Sequence, residues 1–323
     1  MLINRGVMFK MKKIVITGAT GLVGFNLLSI IDGDKYNIIA IDKNKNNLKL
    51  GKKLFPKVNF VHADLSEIDD SWIDLIKESD CVISLHAQIS SPQKDPYIKN
   101  NVGATKNLIK VCEKNKVNNF IYFSSSVVIS VADDHYTNTK RDGENLVKNS
   151  NLNYTILRPP LMYGCFDVKH LGFMAKLMDV SPIFPVPGSG KYMRQPLYVL
   201  DICKIVLKII ELEPENKIYN IIGKEKINFI DLLKIIAQER KMKRLFFKIP
   251  IPVFLFLLKI FGLLTSKKPF VPEQLTALMA GDDFPLSNWE ETFKIKYTPF
   301  REAIKETINS EYYPYRKKMI KTK

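Results

Sequence analysis

The stretch of sequence that decides the fold is KIVITGATGLVG, residues 13–24. Lys13–Thr17 is an apolar, β-branched run that predicts a buried strand, and a glycine turn follows it at once. Apolar spacing from Leu22 to Ile31 then predicts a helix. Glycines in such a turn let backbone N–H groups approach a pyrophosphate, and the start of the helix favours its negative charge. These residues therefore predict a strand–turn–helix unit suited to the diphosphate of a nucleotide.

Short apolar runs keep alternating with helical patterns as far as Arg158. The predicted strands after the first are Asn37–Ile41, Val58–Val61, Cys81–Leu85, Phe120–Phe123 and Tyr154–Leu157. Val102–Val111 has the apolar spacing of a helix. Strands that alternate with helices form a parallel sheet with helices on both faces. We therefore predict an α/β fold with a doubly wound parallel sheet.

The pattern changes after Arg158, where frequent proline and glycine predict a loop-rich segment. The elements predicted beyond it are a helix from Asp201 to Leu212, a strand at Ile218–Ile221 and a helix from Phe229 to Gln238. We expect residues 11–160 to form the nucleotide-binding domain. Residues 161–323 should form a smaller, mostly helical substrate-binding region interleaved with the sheet.

The chain has a formal net charge of +16, from 49 Lys and Arg against 33 Asp and Glu. A nucleic-acid-binding module would concentrate its basic residues on one face, with aromatic residues between them. Here many lysines lie beside asparagines in predicted loops, as in KNKNNLKLGKK at residues 43–53. We expect a solvated, lysine-rich surface and no nucleic-acid partner.

The cysteines and histidines predict no metal site. The four cysteines, at positions 81, 112, 165 and 203, are scattered and form no paired motif. His135 and His170 belong to no cluster with metal-ligand spacing. Reduced core thiols are typical of a reducing compartment, and no apolar run follows the basic residues 1–13 before the first strand. We expect a cytoplasmic protein.

One basic segment is also the most apolar part of the chain. Residues 240–268 contain eight basic residues and no acidic one, and they include the apolar run Phe247–Leu264. A spanning helix needs roughly 20 apolar residues; this run is shorter, contains two prolines and carries Lys259. A buried helix, a lid over a substrate cleft and an interfacial helix in peripheral contact with a membrane remain open.

Asp42 ends the second predicted strand and is the acidic partner expected for the glycine turn. A carboxylate at this position accepts hydrogen bonds from the adenine ribose hydroxyls and repels a 2′-phosphate. This favours NAD over NADP, although Lys43 and Lys45 follow closely.

Tyr136 and Lys140 are four residues apart and should share one face of a helix. A tyrosine titrates near ~10, and a fixed cation beside it favours the phenolate and makes it a better acid/base. The serine cluster Ser124–Ser126 ends the preceding strand, at the sheet edge where such folds bind ligands. Together these residues predict a catalytic set of Ser126, Tyr136 and Lys140.

The order of these motifs resembles the extended short-chain dehydrogenase/reductases of the NAD-dependent epimerase/dehydratase type, which have a Rossmann domain. The matching residues, in chain order, are Gly18/Gly21/Gly24, Asp42, Asp64-Leu65, His86-Ala87, Asn101-Val102-Gly103, Ser124–Ser126, Tyr136/Lys140, Arg158-Pro159, Tyr163-Gly164, Gly188-Ser189-Gly190, Arg194 and Val199–Asp201.

The resemblance implies a role for each matching residue. Tyr136 would be the general acid/base, Lys140 would lower its pKa and hold the nicotinamide ribose, and Ser126 would hydrogen-bond the substrate oxygen. Arg194 would contact the diphosphate of a nucleotide sugar. The residues expected to bind NAD are Gly18, Thr20, Gly21, Leu22, Val23, Gly24, Asp42, Asp64, Leu65, His86, Ala87, Asn101, Tyr136, Lys140, Arg158 and Pro159.

Three functions remain open at this point. The leading hypothesis is epimerisation or dehydration of a nucleotide sugar, with NAD reduced and restored in each cycle. The short spacing of ten residues between Ser126 and Tyr136 and the apolar 249–264 segment also suit oxidation or reduction of a sterol-like or isoprenoid-like alcohol. A third hypothesis is a non-catalytic nucleotide-binding accessory protein of a membrane complex. The resemblance is also compatible with a homodimer.

Overall fold

A seven-stranded parallel sheet lies at the centre of the computed structural model, which describes residues 11–264, 281, 283–313 and 315. Its strands are β1 (Lys12–Thr17), β2 (Tyr36–Asp42), β3 (Asn59–His62), β4 (Cys81–Ser84), β5 (Asn119–Phe123), β6 (Tyr154–Arg158) and β11 (Lys217–Asn220). They lie in the order β11-β6-β5-β4-β1-β2-β3. The strand order reverses beside β1, which leaves a crevice at the carboxyl ends of the strands. The predicted doubly wound sheet is confirmed.

The helices lie between the strands along the chain. They are α1 (Leu22–Leu28), α2 (Lys45–Leu54), α3 (Asp70–Ile76), α4 (Asp95–Tyr97), α5 (Ala104–Lys114), α6 (His135–Lys148), α7 (Leu171–Val180), α8 (Val199–Glu211), α9 (Phe229–Glu239), α10 (Ile251–Leu264), α11 (Trp289–Phe293) and α12 (Phe300–Asn309). A π-helix at Ile98–Gly103 joins α4 to α5, and a 3₁₀ helix at Ser126–Ile129 follows β5.

The core consists of two apolar clusters, one on each face of the sheet. Ile14 and Ile16 of β1 belong to the cluster that includes residues of α1, α8 and α9. Val15, which points to the opposite face, belongs to the cluster with residues of α3, α5 and α6. Because both faces are covered, the inner strands need apolar residues at every position, as the continuous run of β1 shows.

Residues from the second half of the chain complete the main sheet. β11 lies parallel to β6 at the edge, with Ile218 opposite Ile156, and α8 packs against α1. Three small sheets join the remaining strands: β7 (Met162–Tyr163) with β10 (Leu197–Tyr198), β8 (Ile183–Pro187) with β13 (Leu245–Ile249), and β9 (Met193–Arg194) with β12 (Ile227–Asn228). The domain boundaries at 11–160 and 161–323 stay a prediction.

Two predicted segments differ from the structure. The lysine-rich residues 43–53, expected in a loop, lie largely in α2, because the Asn44 side chain caps the helix at the Asn47 N–H and Leu48 is buried. The helix predicted at Val102–Val111 is longer, since the π-helix and α4 extend it backwards to Asp95. Residues 265–268 of the basic segment lie outside the described residues.

Candidate active site

A cleft of about 370 Å³ opens at the carboxyl edge of the sheet. Its walls come from the segments after β1 to β6, from α6 and from β9. The predicted site residues found on the walls are Gly18, Thr20, Gly21, Leu22, Val23, Gly24, Asp42, Asp64, Leu65, His86, Ala87, Ser126, Tyr136, Lys140, Pro159 and Arg194. Residues far apart in the chain therefore face one space.

The glycine turn uses each of its three glycines differently. Gly18 has φ +66°, and a Cβ there would lie 2.6 Å from the His86 backbone nitrogen. A Cβ on Gly24 would lie 2.2 Å from the Ala19 carbonyl oxygen, so this glycine allows α1 to pack closely on the turn. Gly21 is exposed, and among the described residues beyond its chain neighbours a Cβ there would meet the Gly18 carbonyl oxygen alone, at 3.3 Å. Gly21 thus leaves an open cradle above backbone N–H groups.

Asp42 connects the end of β2 to this turn. Its carboxylate accepts hydrogen bonds from the backbone N–H groups of Thr20 and Asn44, both at 2.9 Å. A carboxylate offers about four lone-pair positions, so Asp42 has acceptor capacity left for a ligand in the cleft. The neighbouring Lys43 donates to the Asn100 side-chain oxygen at 2.8 Å.

Asp64 and Leu65 follow β3 and form the next part of the wall. Asp64 accepts hydrogen bonds from the Ser66 hydroxyl at 2.6 Å and the Ser66 N–H at 3.0 Å. Partial burial works against ionisation, but these bonds and the charges of Lys43 and Lys99 outweigh it and lower the pKa of Asp64. The position therefore carries a negative charge at neutral pH.

His86 forms the floor beside the glycine turn. Its Nδ1 lies 2.9 Å from the Thr17 hydroxyl, and its Nε2 lies 3.3 Å from the Thr105 hydroxyl. Burial, with a smaller contribution from the charge of Lys140, lowers the pKa of His86 to about 3. His86 is a neutral, hydrogen-bonded wall residue, which suits packing against a ligand better than proton transfer.

The serine cluster lies at the other end of the cleft, after β5. Ser124 and Ser126 are buried, and among the described residues neither hydroxyl has a hydrogen-bond partner. A buried hydroxyl without a partner is costly unless a ligand or water satisfies it. Both residues line the cleft, which is where such a ligand or water would bind.

Ser125, which was not singled out from its neighbours in the sequence, is the serine that hydrogen-bonds Tyr136. Burial raises the pKa of Tyr136 to about 12, and the Ser125 hydroxyl opposes this rise. Among the described residues, Lys140 is not one of the groups that shift the pKa of Tyr136, so the lowering of this pKa by Lys140 stays a prediction. Within the described part of the chain, no hydrogen bond joins Tyr136 to Lys140.

Lys140 is directed to the base of the cleft instead. Its side chain is 2% exposed, and Nζ donates to the Phe123 carbonyl at 2.5 Å and to the Tyr122 hydroxyl at 3.3 Å. The Nζ atom also lies 4.6 Å from the centre of the Tyr122 ring. Burial lowers the pKa of Lys140 to about 7, which Glu144 partly offsets. The ammonium is thus close to its titration point at neutral pH.

The structure does not bring two of the predicted cofactor residues, Asn101 and Arg158, to the walls. The Asn101 side chain instead holds the Gln88 backbone, accepting from its N–H at 2.6 Å and donating to its carbonyl at 3.1 Å. Arg158 forms a bidentate ion pair with Glu144, at 2.7 and 2.6 Å. Both residues therefore stabilise segments next to the cleft without lining it.

Asn100 and Gln88 line the cleft where Asn101 was expected. The π-helix, which shifts the backbone register by one residue, separates the roles of Asn100 and Asn101. Sequence reasoning also missed the loop after β7, where Phe166, Asp167, Lys169 and His170 reach the cleft. Only the resemblance to a family at Tyr163-Gly164, just before this loop, could have indicated it.

Arg194 lies on the walls beyond the serines, on β9. Residue 194 pairs with residue 227 of β12, so a strand pair rather than a free loop holds its backbone. The walls of the cleft thus carry an open glycine cradle, three carboxylates, a phenol and a guanidinium, together with two hydroxyls that have no hydrogen-bond partner among the described residues. This donor set fits an elongated dinucleotide together with a second, anionic ligand.

Comparison with known proteins identifies the family of the chain. Residues 14–221 match the model of the NAD dependent epimerase/dehydratase family. A Methanocaldococcus jannaschii protein, provisionally named UDP-glucose 4-epimerase, is 28% identical over 70% of this chain and 82% of its own length. N-acetyl-alpha-D-glucosaminyl-diphospho-ditrans,octacis-undecaprenol 4-epimerase of Escherichia coli O157:H7 is 23% identical over 74% of this chain and 76% of its own length.

The fold is also shared with solved structures. UDP-glucuronic acid 4-epimerase from Bacillus cereus, solved in complex with UDP-glucuronic acid and NAD, superposes with a TM-score of 0.72. The two chains are 21% identical, and the match covers 94% of this chain and 99% of that one. At this level of identity, the likeness establishes the fold.

Proposed function

The chain belongs to the NAD-dependent epimerase/dehydratase family, and on that premise we propose that it binds NAD in the cleft and epimerises or dehydrates a nucleotide sugar. One observation carries the proposal: a single cleft contains the Gly21 cradle, the buried Ser126 hydroxyl and Tyr136, together with Arg194. That combination suits one dinucleotide and one sugar diphosphate bound side by side.

The residues that would hold NAD lie towards the glycine turn. The backbone N–H groups around Gly21 would bind its diphosphate. Among the described residues, apart from the two chain neighbours of Gly21, the Gly18 carbonyl oxygen alone lies within 4 Å of where a Cβ would be. Asp42 would accept the hydroxyls of the adenine ribose and repel a 2′-phosphate. Lys43, the cation closest in sequence, is already bonded to Asn100. These features favour NAD over NADP.

The chain's own part in the reaction is proton handling and orientation. NAD, when bound, supplies the hydride acceptor and donor. Tyr136 would take the proton from the sugar hydroxyl that is oxidised and would return it later. The Ser126 hydroxyl would hydrogen-bond the same oxygen and hold it towards Tyr136. Arg194 would bind the diphosphate of the substrate through its planar pair of N–H donors.

Lys140 would make Tyr136 a usable base. Burial keeps the Tyr136 phenol protonated at neutral pH, because its pKa is raised to about 12. A positive charge one helical turn away favours the phenolate. Lys140 lies on the same wall and has a pKa of about 7, so its charge can respond to what binds beside it.

A direct test is epimerisation itself. The purified protein is incubated with UDP-glucose or UDP-glucuronic acid, and the sugar is followed by NMR for inversion at a ring carbon or loss of water. Tyr136→Phe should lower the rate about a hundredfold to ten-thousandfold. Tyr154→Phe is the matched control, since Tyr154 lies at the start of β6 and outside the cleft. A Tyr136→Phe protein as active as wild type would contradict the proposed base.

The same assay separates the proposed reaction from net oxidation of an alcohol. Because hydride returns to the sugar in the proposed cycle, NADH absorbance should not accumulate in step with product. Steady accumulation of NADH with an apolar alcohol, and no change in any sugar nucleotide, would favour the dehydrogenase hypothesis.

A second candidate substrate is a sugar linked by diphosphate to a polyprenyl lipid. The relative from Escherichia coli O157:H7 is named for such a substrate. Arg194 is joined by the short segment 188–193 to β8, and Ile183 on this strand is 52% exposed. The two candidates share the sugar diphosphate, so parallel assays with a nucleotide sugar and a polyprenyl-diphosphate sugar distinguish them.

A further inference from the structure

An exposed apolar surface lies on β8, β13 and α10, outside the walls of the cleft. We name it the β13–α10 surface and define it by the side chains of Ile183, Leu245, Phe247, Val253, Phe256 and Leu257. Each of these side chains is between 46% and 63% exposed. Several large apolar side chains exposed on paired strands and on the helix that follows them indicate a binding surface more strongly than a single exposed residue does.

The two strands show that this exposure follows a pattern. β8 and β13 run parallel, with Ile183 opposite Leu245 and Phe184 opposite Phe246. Phe184 is buried, and its ring lies 6.0 Å from that of Phe246. The alternate positions face outward, where a half-buried sheet usually carries polar residues. Here the outward positions are apolar as well.

The charge around the surface has one sign. Residues 240–264 contain no acidic residue. The exposed lysines of this segment are Lys241, Lys243, Lys248 and Lys259. None of them forms an ion pair within the described residues. The two arginines of the segment anchor it to α7 instead, with Arg240 pairing Asp179 and Arg244 donating to the Met178 carbonyl at 2.8 Å.

The described part of α10 is too short to cross a bilayer. Its 14 residues extend about 21 Å, against a hydrocarbon core about 30 Å thick. No helix among the described residues is long and apolar enough to span a membrane. The exposed apolar side chains of α10, such as Val253 and Phe256, instead offer area that can be buried at a membrane surface. Binding at such a surface scales with the apolar area buried and with the attraction of nearby basic residues to anionic lipids.

We infer that the β13–α10 surface binds peripherally to an anionic membrane. Its apolar side chains would enter the boundary between headgroups and acyl chains, while the four lysines bind lipid phosphates. A second copy of the chain fits less well, because a twofold interface would place the same lysines against each other without an acidic partner. Anionic lipid supplies the charge that residues 240–264 lack.

The inference holds for either candidate substrate. A short segment of the chain also connects the β13–α10 surface to a wall of the cleft. The Gly188 N–H donates to the Ile249 carbonyl at 2.7 Å, which ties the end of β13 to the loop that leads to Arg194. Docking would therefore hold the Arg194 side of the cleft near the bilayer. Membrane binding and catalysis remain separate measurements.

The test is flotation of the full-length protein with vesicles. Vesicles of phosphatidylglycerol and phosphatidylcholine are compared with vesicles of phosphatidylcholine alone, at low and at high salt. We expect the protein to float with the anionic vesicles, and to do so less at high salt. Failure of the wild type to float with anionic vesicles would overturn the inference.

Two sets of variants tie the result to the β13–α10 surface. Phe247→Gln with Phe256→Gln should weaken partitioning at least about tenfold, since two aromatic side chains no longer enter the interface. Lys241→Gln, Lys248→Gln and Lys259→Gln together should weaken it about a hundredfold, at about fivefold for each lysine. Two matched control proteins should bind as wild type does. The apolar control is Val131→Gln with Leu286→Gln, and the lysine control is the α5 triple variant Lys106→Gln, Lys110→Gln and Lys114→Gln.

The controls also distinguish membrane binding at this surface from attraction by net charge alone and from binding of a second copy of the chain. Equal loss in the surface and control lysine variants would mean that net charge alone attracts the protein, and it would overturn the inference. A change of oligomeric mass in the Phe247→Gln/Phe256→Gln protein, with flotation unchanged, would assign the surface to a second copy. Epimerase activity on a soluble nucleotide sugar should be the same in all these variants.

Discussion

A methyl group at position 143 tests the packing that holds Lys140 in place. Gly143 is buried in α6, and a Cβ built on it would lie 2.1 Å from the Tyr122 hydroxyl oxygen, which is hydrogen-bonded to Lys140. Ordinary contacts begin at 3.4 Å, so in Gly143→Ala the two groups must separate by about 1.3 Å. Tyr122 is 1% exposed and has little room to move.

The expected cost follows from two opposing effects. Overpacking a core position costs typically 1–3 kcal/mol, or more for a clash this close. Replacing glycine by alanine inside a helix returns up to about 1 kcal/mol. We expect Gly143→Ala to lose about 2 kcal/mol of stability and to lower Tm by about 4 °C. Because the Tyr122–Lys140 contact is disturbed, kcat should also fall.

Two further proteins make the prediction specific. Gly103→Ala is the matched control, because its Cβ would come no closer than 3.7 Å to the Ile98 carbonyl, and its Tm should stay unchanged or rise slightly. The double variant Gly143→Ala/Tyr122→Phe lacks the clashing hydroxyl and should regain most of the lost Tm. Thermal unfolding of all three proteins is the assay. A Gly143→Ala protein as stable as Gly103→Ala would refute the packing argument.

The remaining predictions concern the charges around the cleft. Glu144→Gln leaves the guanidinium of Arg158, which is 17% exposed, without its charged partner. We expect this variant to lose about 3–5 kcal/mol of unfolding free energy. Breaking the exposed ion pair between Lys57 and Asp34 should cost under about 1 kcal/mol. The lowered pKa of Lys140, about 7 against 10.5, means that the folded protein binds fewer protons than the unfolded chain between these values, so stability should rise with pH there. Lys140→Met should therefore be more stable than wild type below pH 7, with the difference shrinking as pH rises towards 10.5; a difference independent of pH would contradict the shifted pKa.

Much of the fold could be predicted because its signals are local. β1 and β4 are buried on both faces, so their apolar runs are continuous and begin within a residue of their predicted positions. The glycine turn is only partly local. The Ala19 carbonyl nearby in the chain leaves no room for a Cβ on Gly24, whereas the backbone that leaves none at Gly18 is that of the distant His86. α2 was missed because its lysines outnumber the few apolar residues, such as Leu48, that turn towards the core.

The site was harder to predict where partners come from distant segments. Arg158 and Asn101 match the motif expected of cofactor-binding residues. In the structure, however, Arg158 bonds to Glu144 and Asn101 bonds to the Gln88 backbone, and the local sequence indicates neither contact. The depth of Lys140 depends on β5, whose Phe123 carbonyl accepts a hydrogen bond from the ammonium. Sequence spacing placed both residues on one helix face and could not show this burial.

The central claim, that the cleft holds NAD at the glycine turn, is tested most directly by binding. NAD binding to wild type, Gly21→Asp and Gly33→Asp is measured by calorimetry, after the nucleotide that copurifies with each protein has been identified by mass spectrometry. Gly21 has φ −81°, so aspartate fits the backbone there and its carboxylate enters the cradle, whereas Gly33 lies outside the cleft. We expect wild type and Gly33→Asp to bind NAD and Gly21→Asp to lose it. Wild-type protein that binds neither NAD nor NADP, or a Gly21→Asp protein that binds NAD as tightly as wild type does, would contradict the claim.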